Sequence, residues 1–183
     1  MLGFDITYFN PTIEIEALDE KYSEKDYEKE VYQSHVYREQ VVQDILTHWD
    51  KTSSGALNAG KREKNVFQAM LAVSGKQSVV HYYNLFKEKA PHLRVAMTFS
   101  RDESNQPGTK EQNEALKKSI KEYSSCFNVP SLLNAQDPAR AYMIDITKRL
   151  ARKKPYNQGK DEDRLDLVIV SDQLLTGFDS KYI

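Results

Sequence analysis

A strand-like segment near the end of this 183-residue chain is followed directly by residue types that bind ligands. Residues 165–170 are apolar except for Asp166 and rich in branched side chains, which is typical of a largely buried strand. Ser171 comes next, and Gly177 and Asp179 follow a few residues later. A serine hydroxyl can bond a phosphate, a glycine lets backbone approach a ligand closely, and an aspartate accepts from a ribose hydroxyl. Ligands bind at the carboxyl ends of strands in open α/β sheets, so a ligand site is one interpretation. A turn bent by Gly177, with Asp179 beginning a helix, is the other.

Polar residues also follow two earlier apolar segments. Ser74 and Lys76 lie where a strand gives way to a helix, and the N–H groups at a helix start bind anions. A plain helix cap by Ser74 explains the same pattern equally well. Thr98 and Ser100 stand near the end of the next strand and could add contacts. The carboxyl ends of parallel strands share one edge, so these four residues and Ser171 are predicted to cluster there.

Hydrophobic periodicity predicts the elements that position these residues. Apolar runs predict strands over 67–73, 93–99 and 165–170, and a looser alternation predicts one over 4–9. Helical spacing predicts helices over 34–49, 77–88, 110–125 and 138–153, and a glycine- and serine-rich loop over 53–60 marks the best domain boundary. Strands that alternate with helices predict an α/β fold with a parallel sheet.

Composition and charge narrow the possible functions. The net charge of −1 gives no global attraction to nucleic acid, so any such contact needs a local basic patch. The densest basic run, residues 148–154, is interpreted as a solvated helix end whose charges complement the helix dipole. One cysteine excludes an internal disulfide and fits a reducing cytoplasm, and no apolar stretch is long enough to span a membrane.

Metal and nuclease chemistry find little support in the residue pattern. The four histidines are scattered without metal-ligand spacing, so no metal site is predicted. Residues 19–21, Asp-Glu-Lys, match half of a metal-nuclease motif, but the stretch is densely charged and no upstream acid partners them. We therefore predict no nuclease centre there.

The chain resembles the motor of the R subunit of type I restriction enzymes, a branch of superfamily 2 helicases and translocases. LDLVIVSDQLLTGFDS (165–180) resembles motif V of that superfamily. NVFQAMLAVSGKQSVVHYYNLFK (65–87) resembles the motif IV region, LRVAMTFSRDESNQ (93–106) its next strand and polar loop, and LGFDITYFN (2–10) the join between the two motor domains. The similarity runs in order along the chain and is weakest through 14–32 and 130–136.

This resemblance implies a RecA-like parallel sheet flanked by helices, forming most of a second motor domain. Residues 1–60 would be the inter-domain join and helical lead-in, and residues 61–183 the partial RecA-like domain. Ser171 matches a hydroxyl that contacts the DNA backbone, a position where the family often has threonine. Gly177 and Asp179 match positions that face ATP, and a DNA phosphate would be the anion near Ser74 and Lys76.

For the parent protein the resemblance implies an ATP-dependent type I site-specific deoxyribonuclease of the bacterial or archaeal cytoplasm. Its cofactors would be ATP and Mg²⁺. Its partners would be double-stranded DNA and the modification and specificity subunits, with no membrane.

The sequence lacks parts that a translocating ATPase needs. It contains no G-x-x-x-x-G-K-[ST] phosphate loop and no Asp-Glu pair at the end of an apolar strand, and it stops before the arginine-bearing motif VI. We therefore expect no catalytic residue in this chain, no ATPase or nuclease activity from it alone, and a longer parent polypeptide. Two alternatives remain at this point: the second motor domain of another superfamily 2 helicase or translocase, or a non-catalytic α/β interaction domain.

Overall fold

The computed structural model describes residues 31–52, 68–100 and 108–171, with side chains over 31–49 in the first range. The predicted strand over 4–9, the loop over 53–60, and both Gly177 and Asp179 lie outside the described residues. The chain divides into two compact units, Met1–Thr47 and His48–Ile183. The domain boundary expected near residue 60 stays a prediction.

Helix α1 (His35–Thr52) confirms the helix predicted over 34–49. Ser34 caps it, because the backbone N–H of Tyr37 donates to the Ser34 hydroxyl oxygen over 3.2 Å. Val42 and Trp49 are its buried apolar residues.

A three-stranded parallel sheet forms the centre of the second unit. Its strands are β1 (Ala69–Ala72), β2 (Val95–Phe99) and β3 (Leu167–Ser171), in the spatial order β1-β3-β2. Every residue of β2 and β3 is buried, which is why these segments are almost continuously apolar. The last strand in sequence is therefore the middle strand of the described sheet, with a neighbour hydrogen-bonded on each side.

Three helices flank this sheet: α2 (Lys76–Lys89), α3 (Thr109–Cys126) and α4 (Pro138–Leu150). Short 3₁₀ turns lie at Pro130–Leu132 and Asp161–Asp163. The helices bury the apolar residues that recur at helical spacing in the sequence, including Val79, Phe86, Ile120 and Ile146. A parallel sheet flanked by helices confirms the predicted α/β, RecA-like fold class.

Helix α4 ends at Leu150, three residues before the predicted end. Arg152 adopts a left-handed conformation with φ of 46° and reverses the chain. The N–H groups of Arg152 and Lys153 donate to the carbonyls of Arg149 and Lys148 over 3.1 and 2.9 Å. This is the Schellman pattern of hydrogen bonds, which ends helices and usually places glycine where Arg152 stands. Because arginine rather than glycine occupies that position, the end of the helix could not be predicted from the residue type there.

Candidate functional site

The carboxyl ends of the three strands lie side by side at one edge of the sheet. The register pairs Ala72 and Thr98 with Val170 on opposite sides of β3, and Phe99 with Ser171. The N–H of Val73, just past β1, donates to the carbonyl of Val170 over 2.9 Å. The structure therefore brings the three predicted strand ends together, and we call this the carboxyl edge.

Three of the predicted site residues are accessible at this edge. Ser74 and Ser100 are exposed directly after β1 and β2, and Lys76 is half-buried as the first residue of α2. Gly75, not Ser74, occupies the N-cap position of α2, and no side chain caps the helix. The simple capping role considered for Ser74 is therefore not observed.

Among the described residues, the geometry around Gly75 leaves space beside the start of α2. Gly75 has φ of 77°, a conformation that favours glycine, and a Cβ placed there would meet no heavy atom within 4 Å apart from those of its two chain neighbours. Space at that position lets another group approach the first backbone N–H groups of α2, which carry partial positive charge. This part of the carboxyl edge suits an anion.

The remaining two described candidates are not surface residues. Thr98 is 3% exposed and Ser171 is 1% exposed. The Thr98 hydroxyl lies 3.8 Å from the sulfur of Met143 on α4. All five candidates share one edge, but their side chains do not share one open surface, because β2 and β3 are buried on both faces. The binding role of each residue stays a prediction.

The opposite, amino edge of the sheet carries residues that sequence reasoning missed. The backbone N–H of Arg94, before β2, donates to the Asp166 carboxylate over 2.7 Å, and the N–H of Asp166 donates to the Arg94 carbonyl over 3.0 Å. The N–H of Ala69, in β1, donates to the Asp166 carbonyl over 2.8 Å. Asp166 therefore bonds the starts of all three strands together. In the sequence, the one sign of this role is that Asp166 is an acidic residue near the start of an otherwise apolar segment, 165–170.

Arg149 forms the centre of a buried network beside that edge. Its guanidinium carbon lies 4.0 and 3.9 Å from the ring centroids of Phe127 and Tyr156. Its Nε donates to Asp145 over 2.8 Å, and its other nitrogens donate to the Tyr156 hydroxyl and the Asp163 carbonyl over 3.1 and 3.0 Å. These contacts tie α4 to the segment that leads into β3.

Tyr123 and Tyr156 complete the network by donating to the Asp145 carboxylate. Burial, followed by the proximity of this carboxylate, raises the pKa of Tyr123 well above its ordinary value. Burial and the hydrogen bond to Asp145 raise the pKa of Tyr156 as well. Both tyrosines therefore stay neutral donors over the physiological range, which fits a structural rather than a catalytic role.

The described ranges show neither a metal-binding cluster nor a membrane-spanning helix. Residues 31–52, 68–100 and 108–171 contain no group of three or more histidine, cysteine or acidic side chains placed to hold a metal ion. No helix in these ranges is both long and apolar enough to cross a bilayer.

The geometry defines an α/β domain of RecA-like class whose strand ends form one candidate ligand edge. The family model for domain 3 of the type I restriction enzyme subunit R matches residues 65–183, and the chain belongs to this family. The family resemblance noted from the motifs is thereby confirmed, and it connects the chain with restriction-modification defence. A comparison with curated proteins found no match.

Proposed function

We propose that this chain is part of the ATP-dependent double-stranded DNA translocase motor of a type I restriction endonuclease R subunit. In this role the carboxyl edge supplies part of the track for the DNA backbone and one wall of the ATP cleft. The parent enzyme pumps duplex DNA and cleaves it, in complex with modification and specificity subunits in the cytoplasm. Family membership supports the restriction role, and the motor role rests on the resemblance to motifs IV and V.

One observation carries the track assignment: the open start of α2 lies beside the carboxyl ends of β1 and β3. The exposed Ser74 and the half-buried Lys76 lie there, next to the N–H groups of the first helical turn. Backbone amides, a hydroxyl and an ammonium group all bind phosphate without reading a base. Contacts of this kind suit a motor that must step along any sequence.

The ATP wall is assigned through Gly177 and Asp179, which follow β3 along the chain. β3 ends at the carboxyl edge, so a nucleotide there would be near the track. The chain has no phosphate loop, so the lysine and Mg²⁺ that act on the phosphates belong to another region of the enzyme. We expect the purified chain to show neither DNA-stimulated ATP turnover nor DNA cleavage above the level of an unrelated protein.

The test is Asp179→Ala in the assembled enzyme, measured as the rate of ATP-driven translocation. Loss of a nucleotide contact should slow translocation by about tenfold or more, since tenfold corresponds to about 1.4 kcal/mol. Glu88→Ala is the control, because Glu88 is an exposed acid in the last turn of α2, away from the carboxyl edge, and should leave the rate unchanged. An Asp179→Ala enzyme that assembles normally and translocates at the normal rate would show that the motif V assignment is wrong.

A further inference from the structure

The end of helix α4 gathers lysines on the surface. The backbone hydrogen bond from Lys153 to the Lys148 carbonyl brings these two residues together although they are five positions apart. Lys148, Lys153 and Lys154 are exposed, and in the described part of the chain their ammonium groups form no ion pair. The residues of the basic run 148–154 therefore differ in exposure. Arg149 is 2% exposed and has a structural role, whereas Lys148, Lys153 and Lys154 face solvent.

A cleft continues this positive surface toward the amino edge of the sheet. Arg152, Lys160 and Arg164 contribute to its lining, and Asp163 is its acidic member. Gln68 also lines it and is 4% exposed.

Charge is concentrated here far beyond the average of the chain. Residues 148–164 contain seven basic and three acidic residues, in a protein of net charge −1. Asp161 lies 3.7 Å from Arg94 and Asp163 lies 3.7 Å from Arg149, and the exposed Glu162 lies 3.9 Å from Lys160, so seven basic residues still outnumber three acids. The local field is therefore positive, as a polyanion requires.

We propose that Lys148, Arg152, Lys153, Lys154 and Lys160, here called the basic cluster, bind the phosphate backbone of duplex DNA. This proposal rests on the proposed function, because it takes DNA as the substrate. It adds a second DNA contact that lies away from the predicted track at the carboxyl edge. The cleft lies at the amino ends of β1 and β3, and β3 spans about 13 Å from Leu167 to Ser171 at about 3.3 Å per residue. The two contacts are therefore separate sites.

DNA fits the basic cluster better than an acidic protein does. Stable protein interfaces have an apolar centre with a polar rim. The large apolar side chains exposed in the described ranges are Tyr32, Val36, Leu133 and Ile144. Of these, Ile144 lies one helical turn before Lys148, and a single apolar side chain at the border of the cluster does not make an apolar centre. Clustered lysine and arginine without an apolar centre is the pattern of sequence-independent backbone binding.

The test measures binding of the 183-residue chain to a fluorescent duplex of arbitrary sequence by anisotropy, between about 50 and 200 mM salt. The variant is Lys148→Gln/Lys153→Gln/Lys154→Gln. We expect affinity about tenfold lower at the lowest salt, and a log–log salt slope shallower by about 2 to 3 because each neutralised phosphate contributes about 0.9.

The matched control is Lys110→Gln/Lys118→Gln/Lys121→Gln, which removes the same charge from exposed positions of α3. We expect it to change the slope by less than half as much. An equal change in the control, or no salt-dependent binding by the unaltered chain, would overturn the proposal. A polyglutamate peptide whose binding depends on the cluster, while duplex binding does not, would also overturn it in favour of an acidic partner.

Two further variants keep the outcome decisive. If the triple variant loses its folded circular-dichroism spectrum, Lys153→Gln alone should still make the slope shallower by about 0.9, and an unchanged slope would refute the cluster. Lys76→Ala separates the two proposals. Normal affinity in Lys76→Ala with loss in the cluster variant refutes the track only, and the reverse pattern refutes the cluster only.

Discussion

The two edges of the sheet differ in how their polar groups are used. At the amino edge, Asp166 bonds to the starts of all three strands, and Arg149 is enclosed by two aromatic rings and three hydrogen-bond acceptors. At the carboxyl edge, Ser74 and Ser100 are exposed, and the helix start beside them has no side-chain cap. One edge holds its polar groups in buried bonds that join the strands, and the other places two serine side chains at the surface, where a ligand can reach them.

This difference has a physical reason. Residues that serve a ligand are placed for access rather than for packing, so the exposed part of the carboxyl edge should contribute little to stability, and another part of the sheet must supply it. The network of Arg149, Asp145 and Tyr156 does so by fixing the segment that leads into β3. Substitutions at the amino edge should therefore affect folding, and those at the carboxyl edge should affect binding.

Arg149→Met should have the largest effect on stability. It leaves the Asp145 carboxylate, whose side chain is 13% exposed, without its cation, and breaking a buried pair costs about 3–5 kcal/mol. The measurement is the free energy of unfolding in urea. Lys148→Met is the control at the neighbouring exposed position and should change stability by less than about 0.5 kcal/mol. Equal stability of the two variants would contradict the structural role of the amino edge.

Asp166→Ala should have the next largest effect. It removes the acceptor of the Arg94 N–H at the start of β2, and an unsatisfied buried donor costs about 1–3 kcal/mol. Asp161→Ala is the control, because its ion pair with Arg94 is partly exposed and should contribute less than about 1 kcal/mol. A loss at Asp161 that matches the loss at Asp166 would show that Asp166 does not organise the strand starts.

Alkaline pH should weaken the same network. Burial raises the pKa of Tyr123 above its ordinary value of 10.0, so the unfolded chain releases this proton before the folded chain does. The stabilisation is complete below pH 10 and declines above it, by about 1.4 kcal/mol per pH unit for each such tyrosine. Urea unfolding at a series of pH values measures the slope. Tyr123→Phe should make the decline in the free energy of unfolding above pH 10 shallower by about 1.4 kcal/mol per pH unit. An unchanged decline would show that Tyr123 does not contribute to the loss of stability at alkaline pH.

The sequence predicted the elements better than it predicted their side-chain environments. The apolar run before Ser171 and the helical spacing of Leu116, Ile120 and Tyr123 were sufficient for the α/β class. The burial of Thr98 was not predictable, because strands buried on both faces have no polar–apolar alternation. The role of Arg149 was hidden for another reason: its aromatic partners come from other segments, and it lies within a run of solvated lysines.

Lys76→Ala should have the smallest effect on stability and the clearest effect on DNA. Lys76 is half-buried in the first turn of α2, and alanine preserves the helix, so the free energy of unfolding should change by less than about 0.5 kcal/mol. In the assembled enzyme, loss of one phosphate contact should weaken DNA engagement more at low salt than at high salt and make the salt slope shallower by about 0.9. Ser74→Ala is the comparison, and it should weaken binding less because a neutral hydrogen bond to phosphate is weaker than a charge-assisted one. If Lys76→Ala instead destabilises the fold as much as Asp166→Ala and leaves the salt slope unchanged, then the carboxyl edge also serves the fold, and the division of roles between the two edges is wrong.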